Sequence, residues 1–89
     1  MTKEIKINLN TIVDVRTCSQ LASNCPRNIS IKAKHDEFVV DARSLLGLFS
    51  LNLSNDITLV FTSNLENDSR LDDCVKMFND LIVKENKIC

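Results

Sequence analysis

The side chains that could do chemistry in this sequence are few and widely spaced. Cysteines stand at positions 18, 25, 74 and 89, and the only histidine is His35. Zinc sites are built from cysteine and histidine, but no two cysteines here are spaced as C-x-x-C, and His35 falls in a turn-like stretch away from all of them. We therefore expect no metal site and no cofactor. The cysteines should stay reduced and pack as small apolar side chains.

Three polar residues lie where helices are expected to begin. The apolar spacing changes to a helical period at Asp14, and aspartate is a favoured N-cap, so we expect Asp14 to cap the first helix. Arg16 should then be a solvated residue of its first turn. Ser44 directly precedes a run of apolar residues and should N-cap a second, short helix. The acidic runs 66–68 and 72–73 are expected to favour the start of the last helix and to stay solvated.

The elements that position these residues follow from the hydrophobic periodicity. Alternating apolar residues predict strands over 5–9, 29–33, 38–40 and 57–61, and helical spacing predicts helices over 14–25, 44–49 and 71–82. The strand over 57–61 is almost wholly apolar and should be central. The order βαββαβα, with one apolar side on each element, predicts an α+β two-layer sandwich. In it, helices cover one face of an antiparallel sheet.

Composition limits the size, location and partners of the protein. The 89 residues are 44% hydrophobic and carry a net charge of −1. These values favour one domain over residues 1–89, with a core that needs no disulfide. A duplex-binding domain is usually far more basic, so we expect no nucleic-acid partner. No apolar run is long enough for a membrane span or a signal peptide, so we expect a cytoplasmic protein without membrane insertion.

The stretch 41–51 carries a family resemblance. It reads Asp41-Ala42-Arg43-Ser44-Leu45-Leu46-Gly47-Leu48-Phe49-Ser50-Leu51. This resembles the central motif of HPr, the phosphocarrier of the bacterial sugar phosphotransferase system, in its low-GC Gram-positive form. There a basic residue and a serine precede two bulky apolar residues, a glycine, two more bulky residues and Ser-Leu. The resemblance covers nearly the whole chain, strongly over 41–61 and weakly over the first 35 residues. It implies an HPr-like open-faced sandwich with a four-stranded antiparallel sheet.

The same resemblance draws attention to a missing histidine. HPr carries its phosphoacceptor at the start of the first helix, in a Gly-x-His-x-Arg-Pro-Ala pattern. Aligned on Arg16, this sequence has Asp14 where the histidine would stand, Thr17 for the proline and Cys18 for the alanine. A carboxylate can form an acyl phosphate, but that is a different leaving group from a phosphorylated imidazole. We therefore expect a non-catalytic protein without the histidine relay, and His35, in a hairpin turn, cannot substitute.

Two further roles are implied by the resemblance. Ser44 corresponds to the serine that a dedicated kinase phosphorylates in Gram-positive HPr, which makes it a candidate for regulatory phosphorylation. In HPr, the residues at the positions of Leu45, Leu46, Gly47 and Phe49 contact partner proteins. Sequence alone leaves two interpretations of the apolar residues in 45–51: all of them belong to the core, or Leu46 and Phe49 form an exposed patch.

Together these features predict a regulatory, protein-docking module of the phosphotransferase-system type. The expected partners are phosphotransferase-system components, an HPr-type serine kinase or a transcriptional regulator. Two alternatives remain open at this point. One is a phosphoryl carrier that uses Asp14 as its acceptor, and the other is a structural or assembly subunit that retains only the fold.

Overall fold

A computed structural model describes residues 1–9, 11–51, 56–66 and 68–81. Within these residues the order of strands and α-helices is βαββαβα, and a 3₁₀ helix follows the last of them. The elements are β1 (Thr2–Ile7), α1 (Ile12–Ser23), β2 (Ser30–His35), β3 (Phe38–Asp41), α2 (Leu45–Phe49), β4 (Ile57–Thr62), α3 (Ser69–Met77) and the 3₁₀ helix Asn79–Leu81. The predicted element order is confirmed.

The sheet is antiparallel throughout, with the strand order β1-β4-β2-β3. β4 is central, as its apolar sequence predicted. Its residue Ile57 pairs with Ile7 of β1, and its Leu59 pairs with Ala33 of β2. Because side chains alternate along a strand, these residues share one face of the sheet, and all of them are buried. Leu9, two residues past the end of β1, is buried as well.

The helices bury one side each against this face. α1 contributes Val15, Cys18 and Ala22 to the core, and α3 contributes Leu71 and Cys74. On the other face of the sheet the strands carry residues that are exposed or half-buried. The two-layer α+β sandwich predicted from the periodicity is therefore confirmed.

The last helix is shorter than the apolar spacing predicted. α3 ends at Met77, and the chain turns at Phe78 into the 3₁₀ helix, while Ile82 lies outside the described residues. Phe78 is fully buried, and its ring meets that of Phe61 edge to face, with the ring centroids 5.5 Å apart. An edge-to-face contact at this distance is favourable in itself. The apolar period continues past Met77 because the tighter helix still directs Leu81 into the core.

The cysteines of the described residues behave as predicted. Cys18, Cys25 and Cys74 are buried and carry free thiols, while Cys89 lies outside the described residues. Burial raises the pKa of the Cys18 thiol to about 12. Burial and the neighbouring Cys74 thiol raise the pKa of Cys25 to about 12 as well. The thiolate is the reactive form of cysteine, so both groups are protonated and unreactive at neutral pH.

Two features are absent from the residues that the structure describes. No cluster of histidine, cysteine and acidic side chains in them is arranged to hold a metal ion. None of their helices has both the length and the apolar character needed to cross a bilayer.

A polar network ties the end of β4 to the start of α3. Asp68 is the N-cap of α3, and its Oδ1 accepts a hydrogen bond from the backbone N–H of Arg70 at 3.1 Å. The Arg70 guanidinium also donates to both carboxylate oxygens, at 2.9 Å from Nε and 2.8 Å from Nη2. The buried hydroxyl of Ser63 donates to Oδ2. These donors, Arg70 first and Ser63 second, hold the pKa of Asp68 well below its usual range.

This network predicts a pH-dependent stability. Since the pKa of Asp68 is lower in the folded state than in the unfolded state, its charge stabilises the fold above the ordinary carboxyl pKa of about 3.9. That contribution is lost as the pH falls through the folded pKa. We expect Asp68→Asn to lower the free energy of unfolding at pH 7, and its deficit relative to the unmodified protein to shrink in acid.

Urea denaturation of both proteins at pH 7 and pH 3 measures this difference. Asp73→Asn is the matched control, because Asp73 is an exposed carboxylate on the same helix. Equal destabilisation by the two substitutions at pH 7, or a deficit for Asp68→Asn that does not change with pH, would contradict the role given to the network.

Candidate functional site

The start of α1 differs from the sequence-based prediction. The N-cap is Thr11, and the helix begins at Ile12, so the prediction that Asp14 caps the helix is wrong. Asp14 instead completes a capping box. The Thr11 Oγ1 accepts from the Asp14 backbone N–H at 3.1 Å, and the Asp14 Oδ2 accepts from the Thr11 backbone N–H at 3.3 Å. Two backbone N–H groups are thereby satisfied, which favours the earlier start.

The residues around Asp14 divide into polar and apolar positions. Asp14 is half-buried, and Arg16 is exposed, as predicted. Ile12 and Val13, which the sequence analysis did not single out, are 66% and 68% exposed. The helical spacing of core residues, from which the start of α1 was predicted, does not include Ile12 and Val13, because neither faces the core. The spacing Thr-x-x-Asp over 11–14 is the signal that could have located the helix start.

The second helix confirms the predicted cap. Ser44 is the N-cap of α2, and its Oγ accepts a hydrogen bond from the Gly47 backbone N–H at 3.0 Å. Ser44 itself is exposed. Gly47 lies where the helix passes close to β3, because a Cβ at this position would be 3.2 Å from the Ser44 Oγ and 3.3 Å from the Val40 Cβ. A larger side chain would therefore require Ser44 or Val40 to shift by a few tenths of an ångström.

The apolar residues of 45–51 are split between core and solvent. Leu48 and Leu51 are buried, whereas Leu45, Leu46 and Phe49 are 38%, 81% and 41% exposed. The interpretation that places all five in the core is therefore wrong, and the alternative of an exposed patch is correct. Five residues make less than two turns of helix, so α2 can direct only one side to the core.

Arg43 has a structural role that the sequence did not indicate. Its guanidinium donates to three backbone carbonyls of the α1–β2 connection: Ile29 at 3.1 Å, Pro26 at 3.0 Å and Cys25 at 3.4 Å. The Ser19 hydroxyl of α1 donates in turn to the Arg43 carbonyl at 3.1 Å. From the sequence, Arg43 is recognisable only as the basic residue of the motif, because the carbonyls that it contacts are brought to it by tertiary packing.

The structure thus brings the predicted residues onto one layer. α1 and α2 pack beside each other. Their exposed apolar residues are Ile12, Val13, Leu45, Leu46 and Phe49, and we call this set the helical apolar surface. The polar residues Asp14, Arg16 and Ser44 belong to the same two helices or their caps.

The only imidazole of the chain is not part of this surface. His35 ends β2, and its Nε2 lies 3.5 Å from the Asp36 carboxylate in the hairpin turn. Asp36 has a positive φ of 54°, a conformation that aspartate tolerates better than most residues. The hairpin turn predicted around His35 and Asp36 is present, but His35 is the last strand residue before it and pairs with Phe38.

This arrangement of sheet and helices is an open-faced sandwich of the HPr type. The chain matches the crystal structure of HPr-C-His from Thermoanaerobacter tengcongensis with a TM-score of 0.63 and 25% sequence identity, over 90% of each chain. No protein-family model matches the sequence, and no curated protein matches it. The HPr-like fold is therefore established through the solved structure.

The capping box generates a stability prediction. Replacing Thr11 by alanine removes the oxygen that accepts the Asp14 amide, and the loss of such a cap costs about 1 kcal/mol. Thr11→Ser keeps the oxygen and is the matched control. We expect chemical denaturation to show a lower free energy of unfolding for Thr11→Ala alone. If the alanine variant is as stable as the serine variant, the helix does not depend on this cap.

Proposed function

We propose that this protein is a cytoplasmic, non-catalytic docking module of the phosphotransferase-system type that works without a histidine relay. The observation that carries the proposal is the helical apolar surface, in which Leu46 is the most exposed residue at 81%. The resemblance of residues 41–51 implies that this surface corresponds to the one on which HPr meets its partners. The HPr-like fold supports protein partners in general.

The residue at position 14 argues against the usual phosphate relay. Relay through HPr needs an imidazole nitrogen that accepts phosphate from one protein and passes it to the next. Here Asp14 replaces that imidazole, and its Oδ2 accepts the Thr11 amide in the capping box. Phosphorylation of this carboxylate on Oδ2 would weaken that oxygen as a hydrogen-bond acceptor and so disturb the capping box. The side chain is thus better suited to stabilising α1 than to carrying phosphate.

The physical chemistry of the surface favours docking. Leu46 and Phe49 project from a short helix that is fixed by its Ser44 cap and by the Arg43 contacts beside it. Apolar side chains held in water by a rigid backbone gain about 25 cal/mol for each Å² that a partner covers. They also lose little conformational entropy when covered, because the backbone is already ordered. The expected partners are phosphotransferase-system components, an HPr-type serine kinase or a transcriptional regulator.

Ser44 is the proposed point of regulation. Its hydroxyl is exposed at the beginning of α2 and lies next to the apolar residues that would meet a partner. A phosphate there would add charge of about −2 at the edge of the docking surface. Such a charge changes which partner the surface accepts, since an apolar partner would have to desolvate it.

The alternative function is a phosphoryl carrier that uses Asp14. It is supported by the place of Asp14 in the first turn of α1, where the family carries its acceptor. Its product would be an acyl phosphate, formed on incubation with phosphoenolpyruvate and the donor protein of the system. That product would be cleaved by hydroxylamine and absent from Asp14→Asn. A protein that binds none of the system's components would instead be a structural subunit that retains only the fold.

The docking proposal predicts the effect of a charge on the helical apolar surface. Leu46→Asp should weaken binding to a partner at least tenfold, because it places a carboxylate in a contact that must lose water. The fold should be unaffected, since Leu46 is largely exposed. Calorimetric titration with the purified donor protein and the purified serine kinase measures the affinity.

The matched control is Leu65→Asp. Leu65 is 54% exposed and lies on the loop between β4 and α3, outside the helical apolar surface. This variant should bind its partners with unchanged affinity. Equal binding by Leu46→Asp and the unmodified protein would place the docking surface elsewhere.

The regulatory proposal predicts one phosphate on Ser44. Incubation with the HPr-type serine kinase and ATP should raise the intact mass by a single phosphate group, as measured by mass spectrometry. Ser44→Ala should show no increase, while Ser50→Ala, which removes the exposed hydroxyl at the other end of α2, should still be modified. An unchanged mass for the unmodified protein would remove Ser44 as a regulatory site.

A further inference from the structure

A cavity of about 360 Å³ opens beside the end of α1. The described residues that line it are Ser23, Arg27 and Arg43. Ser23 is the last residue of α1, Arg27 lies in the α1–β2 connection, and Arg43 directly precedes the Ser44 cap. Two arginines and a serine therefore line one concave site, and all three residue types have side chains that can donate hydrogen bonds.

The positive charge of this cavity is not neutralised by a carboxylate within the part of the chain that the structure describes. The salt bridges there join Lys3 to Asp72 and Arg70 to Asp68, and His35 lies near Asp36. Neither Arg27 nor Arg43 takes part in them. Two cations that share a cavity repel each other, and an anion between them removes that cost.

Arg43 is held in place before any ligand arrives. Its Nη1 and Nη2 groups donate to the carbonyls of Ile29, Pro26 and Cys25. These carbonyls are neutral, so they fix the guanidinium without cancelling its charge. Its Nε–H makes no hydrogen bond to any residue that the structure describes. A guanidinium positioned in this way loses little entropy when it binds an anion.

The helix that ends at the cavity does not oppose an anion strongly. The C-terminus of a helix is its negative end, because its last carbonyls have no partner within the helix. Here the backbone N–H of Asn24 donates toward the carbonyls of Gln20, Leu21 and Ala22. The Cys25 N–H also donates to the Ala22 carbonyl at 3.2 Å. The local turn therefore gives the carbonyls of Gln20, Leu21 and Ala22 a donor, and the two arginines carry the only full charges among the described lining residues.

From these observations we propose that the cavity binds a small phosphate monoester. Guanidinium groups match the geometry of phosphate oxygens, and the Ser23 hydroxyl supplies a further donor. The volume exceeds what a phosphate group alone occupies and lies at the lower end of the range for small-molecule sites. The phosphate would lie between Arg27 and Arg43, with the organic part filling the remaining space. Among the described residues, neither Ser44 nor the helical apolar surface lines this site, and the proposal does not depend on the proposed function.

Nuclear magnetic resonance titration of the full chain tests the site. The probes are inorganic phosphate and glycerol phosphate, each at an ionic strength matched with sodium chloride. Saturable shifts are expected at the amides of Ser23, Arg27 and Arg43, with tighter binding of glycerol phosphate. Arg27→Gln should weaken that binding about tenfold, as expected for the loss of one charged hydrogen-bond donor.

Lys76→Gln is the matched control. It removes one positive charge from an exposed position in the last turn of α3 and should leave the affinity unchanged. Arg27 is exposed, so its replacement does not endanger the fold, whereas Arg43→Gln would also break the contacts to the α1–β2 connection. Three results would overturn the proposal: shifts that do not saturate, equal weakening by Arg27→Gln and Lys76→Gln, or equal affinity for inorganic phosphate and glycerol phosphate.

Discussion

The short length of α2 is the constraint from which the proposed docking role follows. Leu45–Phe49 is a five-residue helix, and a helix of this length can direct only one side to the core. That side is taken by Leu48, and Leu51 follows it into the core just past the helix. Leu46 and Phe49 are consequently left in solvent. Exposed apolar patches often mark interaction sites, and the docking proposal rests on that rule.

Side-chain bonds at the ends of the elements hold that layer in position. Arg43 ties the chain before α2 to the α1–β2 connection, and Asp68 ties α3 to the end of β4 through Ser63 and Arg70. The Thr11–Asp14 capping box does the same for the start of α1. These bonds join polar groups that would otherwise end a helix or strand unsatisfied. The helices therefore present the exposed residues on a preorganised backbone.

The sequence predicted what depends on local periodicity and missed what depends on tertiary contacts. The central place of β4 and the Ser44 cap followed from apolar spacing and cap preference. The start of α1 was misplaced because Ile12 and Val13 are exposed apolar residues outside the core period. The Arg43 contacts could not be read from the sequence, since its carbonyl partners lie 14 to 18 residues away in the chain. The exposure of Leu46 was one of two open interpretations, and only packing could choose between them.

This protein shares the fold of HPr, and the central claim is that it does not relay phosphate as HPr does. The transfer of phosphate through the chain tests that claim most directly. The measurement follows labelled phosphate from phosphoenolpyruvate, through the donor protein and this chain, to a purified sugar transporter subunit, with authentic HPr as the positive control. Because the resemblance places Asp14 where the phosphoacceptor histidine would stand, transfer should stay at the level seen when the chain is omitted. Rapid labelling of the transporter subunit that requires this chain, through any side chain, would contradict the docking-only role.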